Sequence, residues 1–338
     1  MQKNHEENIL ISIIIPCRNE EKFIGETISS LLQQECNGFD FEILVVDGMS
    51  DDRTRKILSE ISSRHANVRI IDNPLKVTPA AFNLGILNAK GKYISILGAH
   101  AEYASDFLLN NLKLMESFPD VECSGGPIIS RGKSNFAKAV SLAMSSPVGV
   151  GNAKHRFPDY EGYAEMACFP TFRKEVFDRY GLYDESLIKN QDDEYCFRMR
   201  LKGGKIYISP KVKSYYFVRD NVVKLFSQYY QYGKWRIPVL LKHKIPISYR
   251  QQIPALFFLT IAFLFIIAFY FNNVFIGLFL PVIYIIILNG FAIYSLKRDK
   301  FSIIWHLPTV VFVLHFSYAV GFISGIIKFS INKIRIIF

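Results

Sequence analysis

Several features are missing from this 338-residue chain, and each absence removes a class of function. Its five cysteines, Cys17, Cys36, Cys123, Cys168 and Cys196, form no CxxC pair and no metal-ligand spacing, and all precede the apolar C-terminal part. They read as free thiols of a reduced, cytosolic domain. No GxGxxG and no GxxxxGKS/T occurs, so the chain is neither a dinucleotide oxidoreductase nor a P-loop NTPase. Lys and Arg outnumber Asp and Glu by 40 to 30, a net charge of +10, yet no Lys/Arg run or zinc-finger spacing accompanies the excess. Nucleic acid is therefore not the expected partner. The N-terminus, with His5, Glu6 and Glu7 ahead of a short apolar run, lacks the layout of a signal peptide, and nothing sends the following domain across a membrane.

What the C-terminal part lacks is charge. Ile253–Leu296 holds no Asp, Glu, Lys or Arg over 44 residues and is broken only by Asn272-Asn273, and Phe301–Ile327 is a further charge-free stretch of 27. At about 20 residues per crossing, three apolar helices are expected, over 253–271, 274–296 and 301–327. Basic residues flank them: Lys234, Arg236, Lys242, Lys244 and Arg250 before the first, Lys297, Arg298 and Lys300 after the second. By the positive-inside tendency both flanks belong in the cytoplasm and the Asn272-Asn273 turn outside. The expectation is a multi-pass protein of a bacterial-type cytoplasmic (inner) membrane, with its N-terminal domain cytoplasmic. A straight third crossing puts Lys328, Lys333 and Arg335 outside, against that tendency, whereas Pro308 and His315 allow the segment to bend or re-enter. The side of the C-terminal end stays open. Gly321 and Gly325 form a GxxxG, which marks either close helix packing or chance spacing.

Ahead of the apolar part the hydrophobic pattern alternates. Leu10–Ile15 is a strand-length apolar run, Phe23–Leu32 has helical spacing, and Phe41–Val46 is a second buried-type strand. A helix near Arg53–Ser63, a strand Val68–Ile71, a helix opened by Thr78-Pro79 and a strand Tyr93–Leu97 follow. This order predicts an open, Rossmann-like α/β sheet, which binds ligands just beyond the carboxyl ends of its strands. The residues to inspect are Pro16 to Glu20, Asp47 to Asp51 and Gly98 to Glu102. Asp47 ends a buried apolar strand, and a carboxylate there needs a partner such as the base or ribose of a nucleotide. Ser50, Asp51 and Asp52 are either ligand-facing or simply an N-cap of the next helix.

Four segments in order, IIPCRNEE, VVDGMSDD, AAFNLGILNAKGKYISIL and NQDDEYCFRMR, resemble the inverting glycosyltransferase family 2 with its GT-A fold. The resemblance runs from about Ile11 to Arg236, and QYYQYGKWR followed by apolar segments is similar to the succinoglycan-biosynthesis branch of that family. It implies a cytoplasmic catalytic domain over 1–236, a basic juxtamembrane linker over 237–252 and a membrane domain over 253–338. It also implies that Pro16, Asn19, Glu20, Asp47, Ser50 and Asp51 line a nucleotide-sugar pocket, with Asp47 facing the base and Lys76 and Asn83 reaching the nucleotide. Asp192 aligns with the catalytic aspartate that takes the acceptor proton, while Asp193 and Glu194 are read as acids favouring a helix N-terminus. Gln228, Lys234, Trp235 and Arg236 are assigned to the acceptor and diphosphate site, with an interfacial membrane anchor as the other reading of the same residues.

The family pattern fails at one point. A DxD-type sequence usually holds a divalent cation against the donor diphosphate, but here Gly98-Ala99-His100-Ala101-Glu102 has lost the first carboxylate. His100 and Glu102 remain as possible ligands of Mn2+, which tolerates imidazole, or of Mg2+, which prefers oxygen. His100 is equally readable as an incidental loop residue. The function implied is sugar transfer from a nucleotide sugar, first a UDP-sugar, to a lipid-linked saccharide at the membrane, within envelope, capsular or exopolysaccharide synthesis and its assembly partners. The alternatives are a polyprenyl-phosphate sugar transferase and a non-catalytic assembly subunit that kept the fold and lost the cation site.

Overall fold

A computed structural model describes residues 9–295 and 301–335. His5 to Glu7 and the Lys297–Lys300 flank used for the topology expectation lie outside the described residues, as do the side chains of Lys333 and Arg335. The chain divides into two compact units, Met1–Ile129 with Lys154–Tyr216 and Ser130–Ala153 with Phe217–Phe338.

The first unit opens with β1 (Ile9–Cys17), α1 (Ile24–Leu32), β2 (Phe39–Asp47), α2 (Thr54–Ser62), β3 (Val68–Asp72), α3 (Thr78–Asn88) and β4 (Tyr93–Ile96). It continues with β5 (Ala101–Tyr103), α4 (Phe107–Ser117) and β6 (Cys123–Gly126), and the chain passes into the second unit at β7 (Ile129–Arg131). There it forms α5 (Asn135–Met144) and α6 (Pro147–Val150) before returning. The first unit then adds β8 (Gly162–Tyr163), β9 (Cys168–Arg173), α7 (Glu175–Tyr180), α8 (Gln191–Leu201), β10 (Ile206–Ile208) and β11 (Ser214–Phe217).

Eight strands make one sheet in the order β3-β2-β1-β4-β9-β6-β10-β8. β1 lies between β2 and β4, parallel to both, with Cys17 opposite Asp47 and Ile14 opposite Ile96. The pleat explains the near-continuous apolar runs: Ile11, Ile13, Ile15, Ile43 and Val45 enter one core cluster, Ile14, Leu44 and Val46 the other. Helices pack against both faces, and the polar strand residues Ser12, Glu42, Ser95 and Thr171 are buried in hydrogen-bonded pairs. β9 breaks the parallel order, pairing antiparallel with both β4 and β6. β5 pairs antiparallel with β11 in a separate small sheet.

The second unit is helical. After α5 and α6 it contains α9 (Val222–His243), α10 (Ile253–Tyr270), α11 (Val274–Ser295) and α12 (Leu307–Arg335). Three stretches are long and apolar enough to cross a membrane: Tyr249–Tyr270, Val274–Ser295 and Ser302–Phe329. The helix α9 runs through residues 236 and 237, where the sequence pattern put the end of the catalytic domain, and continues into the expected basic linker despite Pro238. Residues 130–153 and 217–236 group with the apolar helices rather than with the sheet. The physical reason is that α9 is held by α12 and not by its charge pattern. Gly233 faces the backbone of Tyr318, where an added β-carbon would stand 2.1 Å from its carbonyl oxygen. At Gly321 and Gly325 an added β-carbon would stand 2.0 Å from Tyr230 O and 2.5 Å from Lys234 O, so this GxxxG is a real helix crossing.

Candidate active site

The carboxyl ends of β1, β2 and β4 come together, and the turns that follow them are laced by side chains. Asp47, the last residue of β2, has no solvent exposure. Its carboxylate accepts from Ser50 N–H and, at 2.5 Å, from Ser50 Oγ, and it pairs with Arg55 Nη1 at 3.0 Å. Arg55 also pairs with Asp72 at the end of β3, at 2.5 Å. Burial of Asp47 is thus compensated inside the protein by a hydroxyl and a guanidinium. Ser50 and Asp51 do not cap α2. Ser50 Oγ accepts from Asn19 N–H at 2.9 Å, while Asn19 and Asp51 exchange hydrogen bonds at 2.8 and 3.1 Å. Asn19 itself adopts φ +55°, a left-handed turn that Asn tolerates. Pro16 sits opposite Val46 just below this turn, and Glu20 N–H donates to Thr54 Oγ1.

Glu20 links the β1 end to the β4 end, since its Oε1 lies 3.3 Å from His100 Nδ1. The mouth is rich in carboxylates, and the buried Cys17 thiol registers this: burial pushes it far above its ordinary range, and Asp47, Glu20 and Asp52 push it further. Glu102 lies on β5 opposite Tyr215, between the buried Ala101 and Tyr103.

Position 98 has no carboxylate for a physical reason. A β-carbon there would lie 2.9 Å from Phe169 Cε1. Phe169 holds φ +47° on β9, and its ring meets Tyr103 edge-on at 5.3 Å. Tyr103 Oη accepts from Gly98 N–H at 2.7 Å and donates to Gly98 C=O at 3.1 Å. Among the described residues no three His, Cys, Asp or Glu side chains gather as a cation site. His100 with Glu20 is a two-donor pair, so a divalent cation fits only if other oxygens complete its shell.

Asp192 stands in the first turn of α8, exposed, and its charge bears on Cys168 and Cys196, whose thiols burial has already pushed up, that of Cys168 to about 12. The next acids do different work. Asp193 N–H donates to Asp192 Oδ1, and the fully buried Glu194 pairs with Arg198 at 3.1 Å. Arg198 also donates to the carbonyls of Tyr180 and Leu182 and covers the Tyr195 ring. This network fixes the start of α8.

Other expected residues are spread more widely. Asn83 is held within the protein: its amide donates to Tyr183 C=O and Glu185, and its oxygen accepts from Tyr183 N–H, which uses its hydrogen-bonding capacity on the loop leading to α8. Lys76 is exposed in a left-handed turn, φ +58°, closed by its N–H to Asn73 C=O. Gln228, Lys234, Trp235 and Arg236 all lie on α9 of the second unit. Gln228 bonds Tyr232, Lys234 sits over the Tyr230 ring and Trp235 packs on Phe329. Arg236 is buried and lines a small cavity with Leu240, Ser248, Gln251 and Phe322. Arg55, Asp72 and Asn73 were missed by sequence reasoning. The signal available was Asp72-Asn73 at a strand end, beside Asp47 in register.

A model of glycosyl transferase family 2 matches residues 12–181. The succinoglycan biosynthesis protein ExoA of Rhizobium meliloti (strain 1021) is 32% identical over 69% of this chain and 70% of its own. A dolichyl N-acetyl-alpha-D-glucosaminyl phosphate 3-beta-D-2,3-diacetamido-2,3-dideoxy-beta-D-glucuronosyltransferase of Methanococcus voltae is 29% identical over 94% of this chain and 97% of its own. The mannosyltransferase PcManGT of Pyrobaculum calidifontis, solved with GDP-Man and Mn2+, shares the fold with a TM-score of 0.59 at 15% identity, covering 93% of this chain and 86% of that one. With the strand-end site and these likenesses together, the chain belongs to glycosyl transferase family 2, as a glycosyl-transfer enzyme of GT-A fold.

Proposed function

We propose that this enzyme is an inverting glycosyltransferase that moves a sugar from a nucleotide sugar, with UDP-sugars the first donors to test, to a lipid-linked saccharide on the inner face of a cytoplasmic membrane. The product enters an envelope, capsular or exopolysaccharide. The observation that carries this reading is the exposed Asp192 carboxylate in the first turn of α8. Asp192 takes the proton of the acceptor hydroxyl as that oxygen bonds to the anomeric carbon. The bond from that carbon to the diphosphate breaks on the opposite face, which inverts the centre and releases the nucleoside diphosphate.

The nucleoside belongs between the β1 and β2 turns, against Pro16, Asn19, Asp47, Ser50 and Asp51. A divalent cation, held by His100 and Glu20 and completed by donor oxygens, would offset the diphosphate charge in this carboxylate-rich mouth. Gln228, Lys234, Trp235 and Arg236 are assigned to the acceptor. The Methanococcus relative supports a lipid-linked saccharide, because its likeness extends over nearly the whole chain, apolar helices included. Anchoring the site at the bilayer raises the effective concentration of such an acceptor.

The test is nucleotide release from UDP-, GDP- and TDP-sugars by the full chain in lipid with membrane lipid extract, beside Asp192→Asn. Donor-specific, lipid-dependent release that is lost in the variant is expected. Release onto polyprenyl phosphate alone, giving one sugar per lipid, moves the acceptor to the lipid phosphate. Undiminished release by Asp192→Asn overturns the assignment of the base.

A further inference from the structure

We propose that α12 does not cross the bilayer: with α5 and α9 it forms a layer of helices on the membrane surface, so that the chain crosses only through α10 and α11. The basic end of α12 then lies on the same side as α9. This concerns the second unit alone and stands apart from the choice of donor or acceptor.

The three apolar stretches differ in what surrounds them. Only 11% of the apolar window of α10 and of α11 is buried inside the protein, against 50% for α12. α10 and α11 are apolar all round and expose Phe263, Ile266 and Phe269 on one, Phe275, Phe279 and Ile286 on the other. That is the surface of a lipid-facing hairpin. On α12, by contrast, Leu307, Val310, Val311, Leu314 and Ala319 are buried by protein.

Apart from α10 and α11, which reach it through Phe258 and through Tyr284 Oη, 2.8 Å from His315 Nδ1, the elements that bury α12 are confined to one side. Its first part is covered by α5 and α6: Phe136 of α5 meets His306 in the turn just before it, and His315 faces the backbone of Val148 and Gly149. Its later part is covered by α9, through Phe226 on Phe316, Tyr230 Oη 2.7 Å from Ser324 Oγ and Trp235 on Phe329. α5 has ten residues and α6 four, too few to span, and the chain both enters and leaves them without an apolar stretch of membrane length. α9 precedes the first crossing. Both coverings therefore lie on one side of the hairpin, and a helix whose two halves are covered from one side cannot run through to the other.

Charge agrees. A crossing α12 would draw Lys234 and Arg236, on the α9 turns packed against it, to membrane depth. A surface layer leaves them with Lys242, Arg250 and Lys328 on one face of the bilayer, as the positive-inside tendency requires. The residues left exposed on α12, Phe312, Phe316, Ile326 and Ile327, are then the face dipped into an anionic lipid surface.

The test uses the full chain with the exposed Cys36 replaced by Ser, carrying Asn273→Cys or Lys328→Cys, in intact bacteria. A membrane-impermeant maleimide is expected to label the Asn273→Cys protein at once and the Lys328→Cys protein several-fold more after permeabilisation. Labelling of both proteins in intact cells, or of the Lys328→Cys protein alone, overturns the proposal. A second measurement needs no new cysteine: Phe316→Trp, with Trp235 and Trp305 changed to Phe, is reconstituted with lipids brominated near the headgroup or near the chain end. Stronger quenching by the shallow bromines is expected. Stronger quenching by the deep ones places residue 316, midway along the stretch, at the bilayer centre and refutes a surface helix.

Discussion

Restoring the missing carboxylate by Gly98→Asp is the obvious way to ask whether this site lost a cation ligand, and the structure gives a definite answer. The new β-carbon would stand 2.9 Å from Phe169 Cε1, whereas carbon atoms rest at about 3.5–4.0 Å. The ring has little freedom to retreat, being set edge-on to Tyr103 at 5.3 Å, and Tyr103 is buried with its hydroxyl committed to the Gly98 backbone. Overpacking of this kind costs about 1–3 kcal/mol, or about 2–12 °C in the midpoint of a unit of this size. Phe169→Ala alone loses packing and is destabilising too. The pair Gly98→Asp/Phe169→Ala is expected to be more stable than the sum of the singles by at least about 0.5 kcal/mol, because the two positions compete for one volume. Thermal unfolding in nanodiscs measures the stability, and titration of free Mn2+ in the presence of UDP reports the ligand. If Gly98→Asp alone keeps the parental midpoint and tightens Mn2+ binding, the claim that Phe169 closes this position is wrong.

Other consequences are direct. Asp192→Asn should retain nucleotide binding and lose about 10²–10⁴-fold in transfer rate, the span of a general base, measured by product release at saturating donor. Arg198→Ala leaves the fully buried Glu194 without its ion-pair partner and should destabilise the first unit by about 3–5 kcal/mol, read from chemical unfolding; a change under about 1 kcal/mol would mean that the charge is relieved otherwise. Gly321→Leu places its β-carbon 2.0 Å from Tyr230 O and should separate α9 from α12, exposing Trp235 to aqueous quenchers while Mn2+ and nucleotide binding persist. At pH 8, thiol reagents should modify Cys36 rapidly and Cys17, Cys123, Cys168 and Cys196 only on unfolding. Burial lifts all four, and the Cys168 thiol forms thiolate only near pH 12. Since a raised pKa favours the protonated form, their protection is complete at neutral pH and erodes only as the solution becomes strongly alkaline.

Much of the parallel half of the sheet was legible because its strands are apolar runs flanked by turns, and the expected Leu10–Ile15, Phe41–Val46 and Val68–Ile71 lie within β1, β2 and β3. The other half was not, for reasons visible in its residues. β6 reads Cys-Ser-Gly-Gly, which has no strand propensity; it forms because Gly126 lets the backbone approach Val212 O, where a β-carbon would stand at 1.9 Å. β9 runs against its neighbours, a choice made by tertiary pairing and invisible to periodicity. At the site, the strand-end acids were readable but their partners were not. Asp47 invited a ligand on the assumption that a buried carboxylate is unsatisfied, and Arg55, eight residues on, supplies part of that need. Asn83 matched a motif, yet its bonds reach residues a hundred positions away.

The order of strands also sets a timetable for synthesis. β1 and β4 are among the first strands to leave the ribosome, but β4 waits for β9, complete at Arg173, and the sheet beyond it, through β6 to β10, is paired only when Ile208 has been made. Ile253, the start of the first long apolar helix, follows 45 residues later. At about 5–20 residues per second this leaves about 2–9 s. The nascent chain thus closes this edge of the sheet only shortly before the next apolar segment is made. A slowly translated stretch between residues 209 and 252 would widen the interval in which that edge can close.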